Sequence, residues 1–157
     1  MPEAVSYRRM AAGEEKEVSN LVTRVFRTHV APLFSRQGVE EFLRYVTSGA
    51  MKQRGEHSHF VLVALSDQRI VGAIEVRDYD HVSLLFVDSA FQRQGVGREL
   101  VERALTICQQ HRPTLRTIDV HSSPNAVPAY QRLGFQERGP ERVEDGIRFV
   151  RMVREIT

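Results

Sequence analysis

The segment 81–110 changes from a strand pattern to a helix pattern across a loop that contains two glycines. His81–Val87 is apolar enough for a buried strand, whereas residues 96–110 repeat apolar side chains at helical spacing. Gly95 and Gly97 stand where the helix begins, and the lack of a side chain there lets a ligand approach the backbone closely. A strand that leads into a helix in this way predicts a domain with both element types around a sheet.

Further elements are predicted on both sides of this segment. Residues 14–30 carry apolar side chains at helical spacing, and a second helix is expected to begin after Gly38. Residues 48–58 are predicted to be a polar connection. The remaining apolar stretches predict strands at 4–10, 60–65, 70–77, 116–121, 135–138 and 147–154, and a short helix at 124–133. The order of these elements predicts a mixed α/β (α+β) domain around one sheet.

The composition is that of one ordinary folded domain, expected to span residues 1–157. Of these residues 41% are apolar and 27% are charged, unlike a disordered chain. No apolar run approaches the ~20 residues that a membrane-spanning helix needs, and the N-terminal residues hold no stretch suited to a signal peptide. The single cysteine, Cys108, cannot form an internal disulfide, and its place on the apolar face of a predicted helix indicates a core residue. We therefore expect a cytoplasmic protein without a membrane partner.

The basic residues are almost all arginine. Only Lys16 and Lys52 are lysines among 22 basic residues, which face 20 acidic ones for a formal net charge of +2. Arginine is a common phosphate ligand, and a nucleic-acid-binding protein would collect it on one face. Here the arginines are spread over every predicted element and usually adjoin an acid, as in Arg77-Asp78. We expect no nucleic-acid partner.

The loop before the helix 96–110 has the features of a pyrophosphate-binding loop. The first helical turn offers unpaired N–H groups and the positive end of the helix dipole, and Arg93 and Arg98 add charge. The loop lacks the Gly-Lys-Ser/Thr ending of a P-loop and the third glycine of a dinucleotide fingerprint. Two glycines also occur at ordinary turns, so the loop alone leaves both interpretations open.

A second motif follows the strand predicted at 116–121. Ser123 and Pro124 are typical of the N-cap and first position of a short helix, and Gly134 is placed to end that helix in a left-handed turn. Phe135 then returns the chain to the core. Tyr130 lies on the last turn of the helix, on the side from which it can face the glycine loop. Taken alone, Tyr130 is more simply explained as a core tyrosine.

Together the two motifs resemble those of the GNAT superfamily of N-acetyltransferases. The matching residues are Gln92, Gly95 and Gly97 in the loop, then Ala126, Tyr130, Gly134 and Phe135. The order of helices and strands also matches that superfamily. The resemblance therefore implies a mixed, mostly antiparallel, twisted sheet flanked by helices.

The resemblance implies acetyl-CoA (coenzyme A) as the co-substrate, no metal, and direct transfer of the acetyl group to a primary amine. In the superfamily a V-shaped gap between two strands admits the cofactor, and here those strands end at Val87 and His121. Backbone groups of one strand pair with the pantetheine arm, and backbone N–H groups of the loop hold the pyrophosphate. The implied cofactor-binding residues are Leu85, Phe86, Val87, Gln92, Arg93, Gln94, Gly95, Val96, Gly97, Arg98, Ser123 and Tyr130.

The chain departs from the superfamily pattern at three positions. Ser89 stands where many members have proline. Ser123 stands where many have a cofactor-binding asparagine, and its hydroxyl is either an N-cap or a contact for pantetheine. His81 stands where histone-acetylating members place a glutamate base.

Acetyl transfer to an amine needs a base, an oxyanion donor and a proton for the departing thiolate. Alkylammonium groups titrate near pH ~10, so a histidine base suits the task, and His81 is the catalytic candidate. The alternatives left open are Glu75, a water relay, His121, and no role for His81 beyond starting a strand. The resemblance implies Tyr130 as the general acid and a main-chain N–H near Val87 as the oxyanion donor.

The acceptor is expected to be a small-molecule amine. The alternatives are a protein or peptide N-terminus or lysine, and a non-catalytic acyl-CoA sensor, against which the presence of Tyr130 counts. Residues 28–38 are the expected acceptor contacts. His57 and His59 lack further ligands at metal-binding spacing, so no metal site is predicted. A homodimer is common in the superfamily, but no residue here requires one.

Overall fold

The computed structural model describes residues 4–156 and contains a central sheet with helices on both of its faces. The helices are α1 (Glu15–His29), α2 (Arg36–Tyr45), α3 (Ser48–Arg54), α4 (Val96–His111) and α5 (Val127–Arg132). The strands are β1 (Ser6–Arg9), β2 (His59–Ser66), β3 (Arg69–Arg77), β4 (His81–Val87), β5 (Thr117–Ser122), β6 (Gln136–Glu137), β7 (Arg142–Glu144) and β8 (Ile147–Glu155). Short 3₁₀ turns precede α2, α4 and α5.

The strands follow the order β1-β2-β3-β4-β5-β8-β6, and β7 also pairs with β8. Only β4 and β5 pair in parallel among the described strands, because the crossover through α4 joins them. The predicted mixed, mostly antiparallel sheet flanked by helices is therefore confirmed.

The parallel pair β4–β5 separates soon after it begins. His81 pairs with Asp119 and Val82 with Val120, and the ladder has no further pairs. A bulge between β3 and β4 leaves Ser83 outside the ladder, since Glu75 pairs with Leu84 and Val76 with Val82. A bulge bends its strand, so β4 turns away from β5 here and opens a gap in the middle of the sheet.

Two apolar clusters hold the helices against the sheet. On one face Leu100 of α4 and Phe135, which follows α5, are buried against β3, β4, β5 and β8. On the other face α1 and α3 bury Leu21, Val22 and Met51 against β2 and β3. Cys108 is fully buried in the first cluster, and burial raises the pKa of its thiol to about 11, as expected of a core residue.

The polar segment 48–58 is not an open connection, so that prediction is wrong. Residues Ser48–Arg54 form α3, whose start is capped by the Thr47 hydroxyl accepting from the Ala50 N–H at 3.2 Å. Met51 is buried beneath the helix and supplies its apolar anchor. Arg54 at the other end reaches a buried carboxylate in the sheet.

Helix α2 begins at Arg36, before Gly38 rather than after it. The Ser35 hydroxyl caps the helix by accepting from the Gly38 N–H at 3.2 Å. A Cβ at Gly38 would collide with the carbonyl of Gly146, in the turn between β7 and β8. Gly146 has a left-handed φ of +79°, and a Cβ there would collide with Ser35. The start of α2 and the β7–β8 turn therefore touch backbone to backbone.

Over residues 4–156 no helix combines the length and the apolar character that crossing a bilayer requires.

Candidate active site

A cleft of about 1490 Å³ occupies the gap between β4 and β5. The glycine loop and α5 form one end of the cleft. Parts of α1, α2, β3, β7 and β8 form the other end. A ligand site where strands of a sheet diverge is the common arrangement in α/β domains.

The glycine loop joins β4 to α4 through a left-handed turn. Gly95 is the N-cap of α4 and has a left-handed φ of +84°, which favours glycine. Ahead of it, the Asp88 carboxylate accepts from the Ala90 N–H at 2.9 Å and pairs with Arg24 of α1 at 2.6 Å. The loop is therefore fixed at its entry, and the first turn of α4 presents its N–H groups to the cleft.

Ten of the twelve residues predicted to bind the cofactor line this cleft. They are Leu85, Phe86, Val87, Gln92, Arg93, Gly95, Gly97, Arg98, Ser123 and Tyr130. The other two do not present their side chains to it. The Gln94 side chain donates to the carbonyl of Ala90 at 3.1 Å, and Val96 is buried against Gly72.

Gly97 gives a direct test of the loop. Outside its own helix backbone and chain neighbours, a Cβ at Gly97 would meet no atom of residues 4–156 closer than Val87 at 3.9 Å. Gly97→Leu should therefore fold normally and fill the cleft beside the loop N–H groups. We expect the KM for acetyl-CoA to rise by about ten-fold or more, since loss of two ligand hydrogen bonds costs at least ~1.4 kcal/mol. The matched control is Gly49→Leu, at the same position of α3 with open space around it. Equal KM values for the two variants would contradict the assignment.

The edge of β4 that faces β5 is unpaired beyond Val82. Alternate backbone N–H and C=O groups of Leu85, Phe86 and Val87 therefore lack a strand partner on that side. Gln92 donates to the Val87 carbonyl at 3.0 Å, which closes the far end of this edge. What remains is a short row of donors and acceptors suited to an extended amide-containing chain.

Tyr130 faces the cleft from α5 and packs edge-on against Phe135, with ring centroids 5.4 Å apart. Its hydroxyl makes no hydrogen bond to any residue from 4 to 156. Burial raises the pKa of Tyr130 well above its usual range, so the phenol keeps its proton. Gly134 has the predicted left-handed φ, +94°, and Phe135 is fully buried.

Ser123 is not the side-chain cap that one interpretation of the sequence predicts. The turn that follows it closes through the backbone, by the Ala126 N–H donating to the Ser123 carbonyl at 3.0 Å. The Ser123 hydroxyl therefore stays available to the cleft. Arg98 donates to the Arg132 carbonyl at 2.7 Å, and Arg132 itself lines the cleft beside the loop, an arginine that the sequence motifs do not single out.

His81 lies at the start of β4 with its ring held from β5. Its Nδ1 is 2.7 Å from Oδ1 of Asp119, whose other oxygen accepts from Nε of Arg151 at 3.2 Å. His121 stands edge-on to His81 with ring centroids 4.8 Å apart, and stacks on Phe149. His81 and His121 line the cleft, while Asp119 lies behind them. Asp119 is the residue of this cluster that sequence reasoning missed.

Two groups of this cluster have shifted pKa values. Burial acts to raise the pKa of Asp119, but the hydrogen bond to His81 and the charge of Arg151 outweigh it, so the pKa lies below its ordinary value. Burial, together with His81, lowers the pKa of His121. Ligand atoms of His81, Asp119 and His121 lie within 4.8 Å of one another, a spacing open to a metal ion. Both Asp119 oxygens already have cationic or N–H partners, so we interpret the cluster as a hydrogen-bonded pair with a neighbouring histidine.

Glu75 does not reach the cleft, which is a correction to its place among the candidate bases. It is 1% exposed and bound by Arg54, with nitrogen–oxygen distances of 3.1–3.4 Å, and by the Tyr45 hydroxyl at 3.2 Å. A carboxylate held in this way stabilises the fold and has no free lone pair directed at a substrate.

The far end of the cleft comes from the segment expected to contact the acceptor. His29, Val30 and Phe34 of the expected range 28–38 line it. His57 and His59 line it as well, and His59 is bound to the His57 carbonyl at 2.7 Å rather than grouped with other ligands. The acidic turn residues Glu144 and Asp145 complete the rim.

Comparisons with known proteins agree with this geometry. The model of the acetyltransferase (GNAT) domain family matches residues 30–156. A peptidyl-lysine N-acetyltransferase, YjaB of Salmonella typhimurium, is 34% identical over 83 residues, which are 53% of this chain and 54% of that protein. The chain thus spans about half the length of the curated relatives it matches.

Two solved structures share the fold over almost the whole chain. A GCN5-related N-acetyltransferase of Rhodopseudomonas palustris has a TM-score of 0.83 and 15% identity, covering 99% of both chains. The PaiA N-acetyltransferase of Thermoplasma acidophilum, in complex with coenzyme A, has a TM-score of 0.77 and 14% identity, covering 98% of this chain and 99% of that one.

Proposed function

Because the chain belongs to the GNAT family of acetyltransferases, we propose that it transfers the acetyl group of acetyl-CoA to a primary amine in the cleft between β4 and β5. One observation carries the proposal. The unpaired β4 edge, the carboxylate-backed His81 and the hydroxyl of Tyr130 all border this one cleft. An amide-binding edge, a base and a hydrogen-bond donor are the groups that acyl transfer from a thioester requires.

In this proposal the cofactor lies along the gap. The loop and the first turn of α4 take the pyrophosphate, with Arg93 and Arg132 nearby for the remaining phosphate charge. The pantetheine amides continue the sheet beside β4, and the Ser123 hydroxyl lies on their other side. The acetyl thioester then lies beside β4 in the cleft that His81 also borders, and a backbone N–H of β4 stabilises the oxyanion.

His81 takes the proton that the acceptor must lose. A primary ammonium is mostly protonated at neutral pH, and its nitrogen needs a free lone pair to attack the thioester carbonyl. One proton moves from the ammonium to the His81 ring, the nitrogen–carbon bond forms and the carbon–sulfur bond breaks. The second proton leaves the acceptor nitrogen to water as the tetrahedral intermediate collapses to the amide. The coenzyme A leaves as a thiolate.

Tyr130 donates a hydrogen bond to that thiolate. Its raised pKa lies above that of a thiol, so complete proton transfer from the phenol is unfavourable. A neutral donor in a buried place still stabilises the negative sulfur as it develops. The thiolate then takes its proton from solvent when it leaves the cleft.

Tyr130→Phe should lower kcat by about ten-fold or more, which corresponds to one charged hydrogen bond of ~1.5–3 kcal/mol. The melting temperature should stay the same, because the hydroxyl has no partner within residues 4–156 to lose. Tyr79→Phe is the control, since Tyr79 stacks on His111 away from the cleft. A Tyr130→Phe enzyme with the wild-type kcat would remove Tyr130 from the reaction.

Two acceptor classes follow from different observations. An apolar wall with Phe34 and Phe42 suits a small-molecule amine. The similarity to a peptidyl-lysine N-acetyltransferase favours a lysine side chain. A lysine side chain and a small alkylamine present the same nucleophile, so the reacting groups named above serve both.

An acetyl-CoA consumption assay separates these possibilities. The panel contains lysine peptides, matched peptides with arginine for lysine, polyamines, free amino acids and aminoglycosides. Turnover with any primary amine supports the proposal, and the peptide pairs decide between the two classes. Tight acetyl-CoA binding without turnover on the panel would favour the non-catalytic sensor instead.

A further inference from the structure

We propose that Asp119 is a positioning residue that makes His81 the base of the reaction, by holding the His81 ring through Nδ1 while Arg151 fixes the second carboxylate oxygen. This inference rests on the proposed function. It gives a role to a side chain that lies behind the cleft wall and touches neither cofactor nor acceptor.

The carboxylate decides which ring nitrogen of His81 carries the proton. An ionised carboxylate only accepts hydrogen bonds, so the Nδ1 that lies 2.7 Å from Asp119 must be the donor. In a neutral imidazole the other nitrogen, Nε2, then holds the lone pair. Nε2 makes no hydrogen bond to the described residues, and His81 borders the cleft. The basic nitrogen is therefore the one left for the acceptor.

The same carboxylate stabilises the imidazolium that forms when His81 takes a proton. The charged and titratable groups around the ring are Asp119 and His121 on β5, Arg77 paired with His81 on β3, and Arg151 on β8. Both arginines oppose a second positive charge at this place. Asp119 is the carboxylate that touches the ring, so it supplies the compensating charge.

Arg151 makes the carboxylate a fixed partner. With Oδ1 bound to His81 and Oδ2 bound to Arg151, neither oxygen is free to rotate away. The charge of Arg151 also keeps the carboxylate ionised, in line with the lowered pKa of Asp119. The β5–β8 ladder at this point pairs the backbone of Asp119 with that of Val153 and does not need the side chain. An Asp119 variant should therefore fold.

The test compares Asp119→Asn with Asp80→Asn. Asp80 precedes His81 in the chain and pairs with Arg112 at 2.8 Å, so its variant removes the same charge without touching the ring. Asp119→Asn should lower kcat/KM by about 10- to 10³-fold, because an amide allows the wrong tautomer of His81. Asp80→Asn should stay within about two-fold of wild type, as expected for an exposed ion pair. Asp119→Glu should recover part of the activity lost in Asp119→Asn.

A second readout needs no substrate. The imidazole nitrogens of His81, assigned by their absence in His81→Gln, are observed by ¹⁵N NMR in wild type and in both variants. In wild type the proton of the neutral ring should lie on Nδ1, whereas Asp119→Asn should show a mixture of tautomers and Asp80→Asn should match wild type. A residue that only supports the fold would not change this tautomer selectively.

The outcomes separate this inference from the proposed function. If wild type transfers acetyl groups and Asp119→Asn keeps both its kcat/KM and the wild-type tautomer of His81, the inference is wrong and the proposed function stands. If wild type transfers acetyl to no amine, the proposed function is wrong, and the inference that rests on it is wrong as well. Loss of wild-type activity on EDTA treatment, restored by a divalent cation, would also overturn the inference, since the cluster would then hold a metal.

Discussion

Replacing His81 by glutamine is expected to lower kcat/KM for acetyl transfer by about 10²- to 10⁴-fold at neutral pH, the usual contribution of a positioned base. Glutamine keeps a polar side chain of similar reach but cannot take a proton. The deficit should shrink as the pH rises toward the titration of the acceptor amine near pH ~10, because the amine then needs no base. A steady-state pH–rate series for wild type and variant measures both effects.

The sign of the pH dependence separates a lost base from a damaged fold. The rate of the His81→Gln variant should keep rising with pH toward the titration of the acceptor amine, whereas wild type should reach its plateau at a lower pH. A variant that is merely misfolded would lose activity equally at every pH. His111→Gln is the control, because His111 lies at the end of α4 outside the cleft. A His81→Gln profile that reaches its plateau at the same pH as wild type would return the role of base to a water relay.

Removing the charge of Arg54 should destabilise the protein by about 3–5 kcal/mol, the usual effect of leaving a buried charge unpaired. The partner left behind is Glu75, which is 1% exposed, whereas the Arg54 side chain is 15% exposed. Arg54 also donates to the Tyr45 carbonyl at 2.6 Å and lies over the Tyr45 ring. For a chain of this size Arg54→Met should lower the melting temperature by roughly 6–20 °C.

Two further variants show whether the buried charge is the cause. Arg36→Met removes an exposed i,i+4 pair with Glu40 and should change stability by at most ~0.5 kcal/mol. The double variant Arg54→Met with Glu75→Leu should recover much of the loss, since no buried charge remains. If the double variant melts as low as Arg54→Met alone, packing rather than the stranded carboxylate explains the loss. Thermal unfolding followed by circular dichroism measures all three.

Elements with a strong apolar period were predictable from the sequence, and α3 was not. The strand and helix on either side of the glycine loop show two different periods, and both have nearly the predicted bounds. Helix α3 has one buried apolar residue, Met51, in a polar segment that holds Gly49. Its stability comes from the Thr47 cap and from Arg54 binding into the sheet, and a local period does not report such contacts.

Residues of the candidate site were predictable from the sequence only where they belong to a local motif. The loop, Tyr130 and His81 could be named from motifs, but Asp119 could not, because its contact with His81 depends on the register of β4 against β5. These strands are joined by a crossover through α4, so no local spacing fixes that register. The available signal for Asp119 was the alternation of polar and apolar residues in its strand. Asp119 and His121 flank the buried Val120, and alternate residues of a strand share a face. The burial of Glu75 was not predictable either, because its partners Tyr45 and Arg54 lie far from it in the sequence.

The backbone contact between Gly38 and Gly146 ties α2 to the β7–β8 turn, and both segments line the end of the cleft proposed to hold the acceptor. Neither position accepts even a methyl group without moving the other segment. A chimera that takes α2 from one relative and the β7–β8 turn from another inherits a collision unless both sources carry the glycine pair. If the proposed function holds, the acceptor preference is therefore more easily changed at side chains beside this contact, such as Phe42 and Glu144, than by exchanging either segment alone.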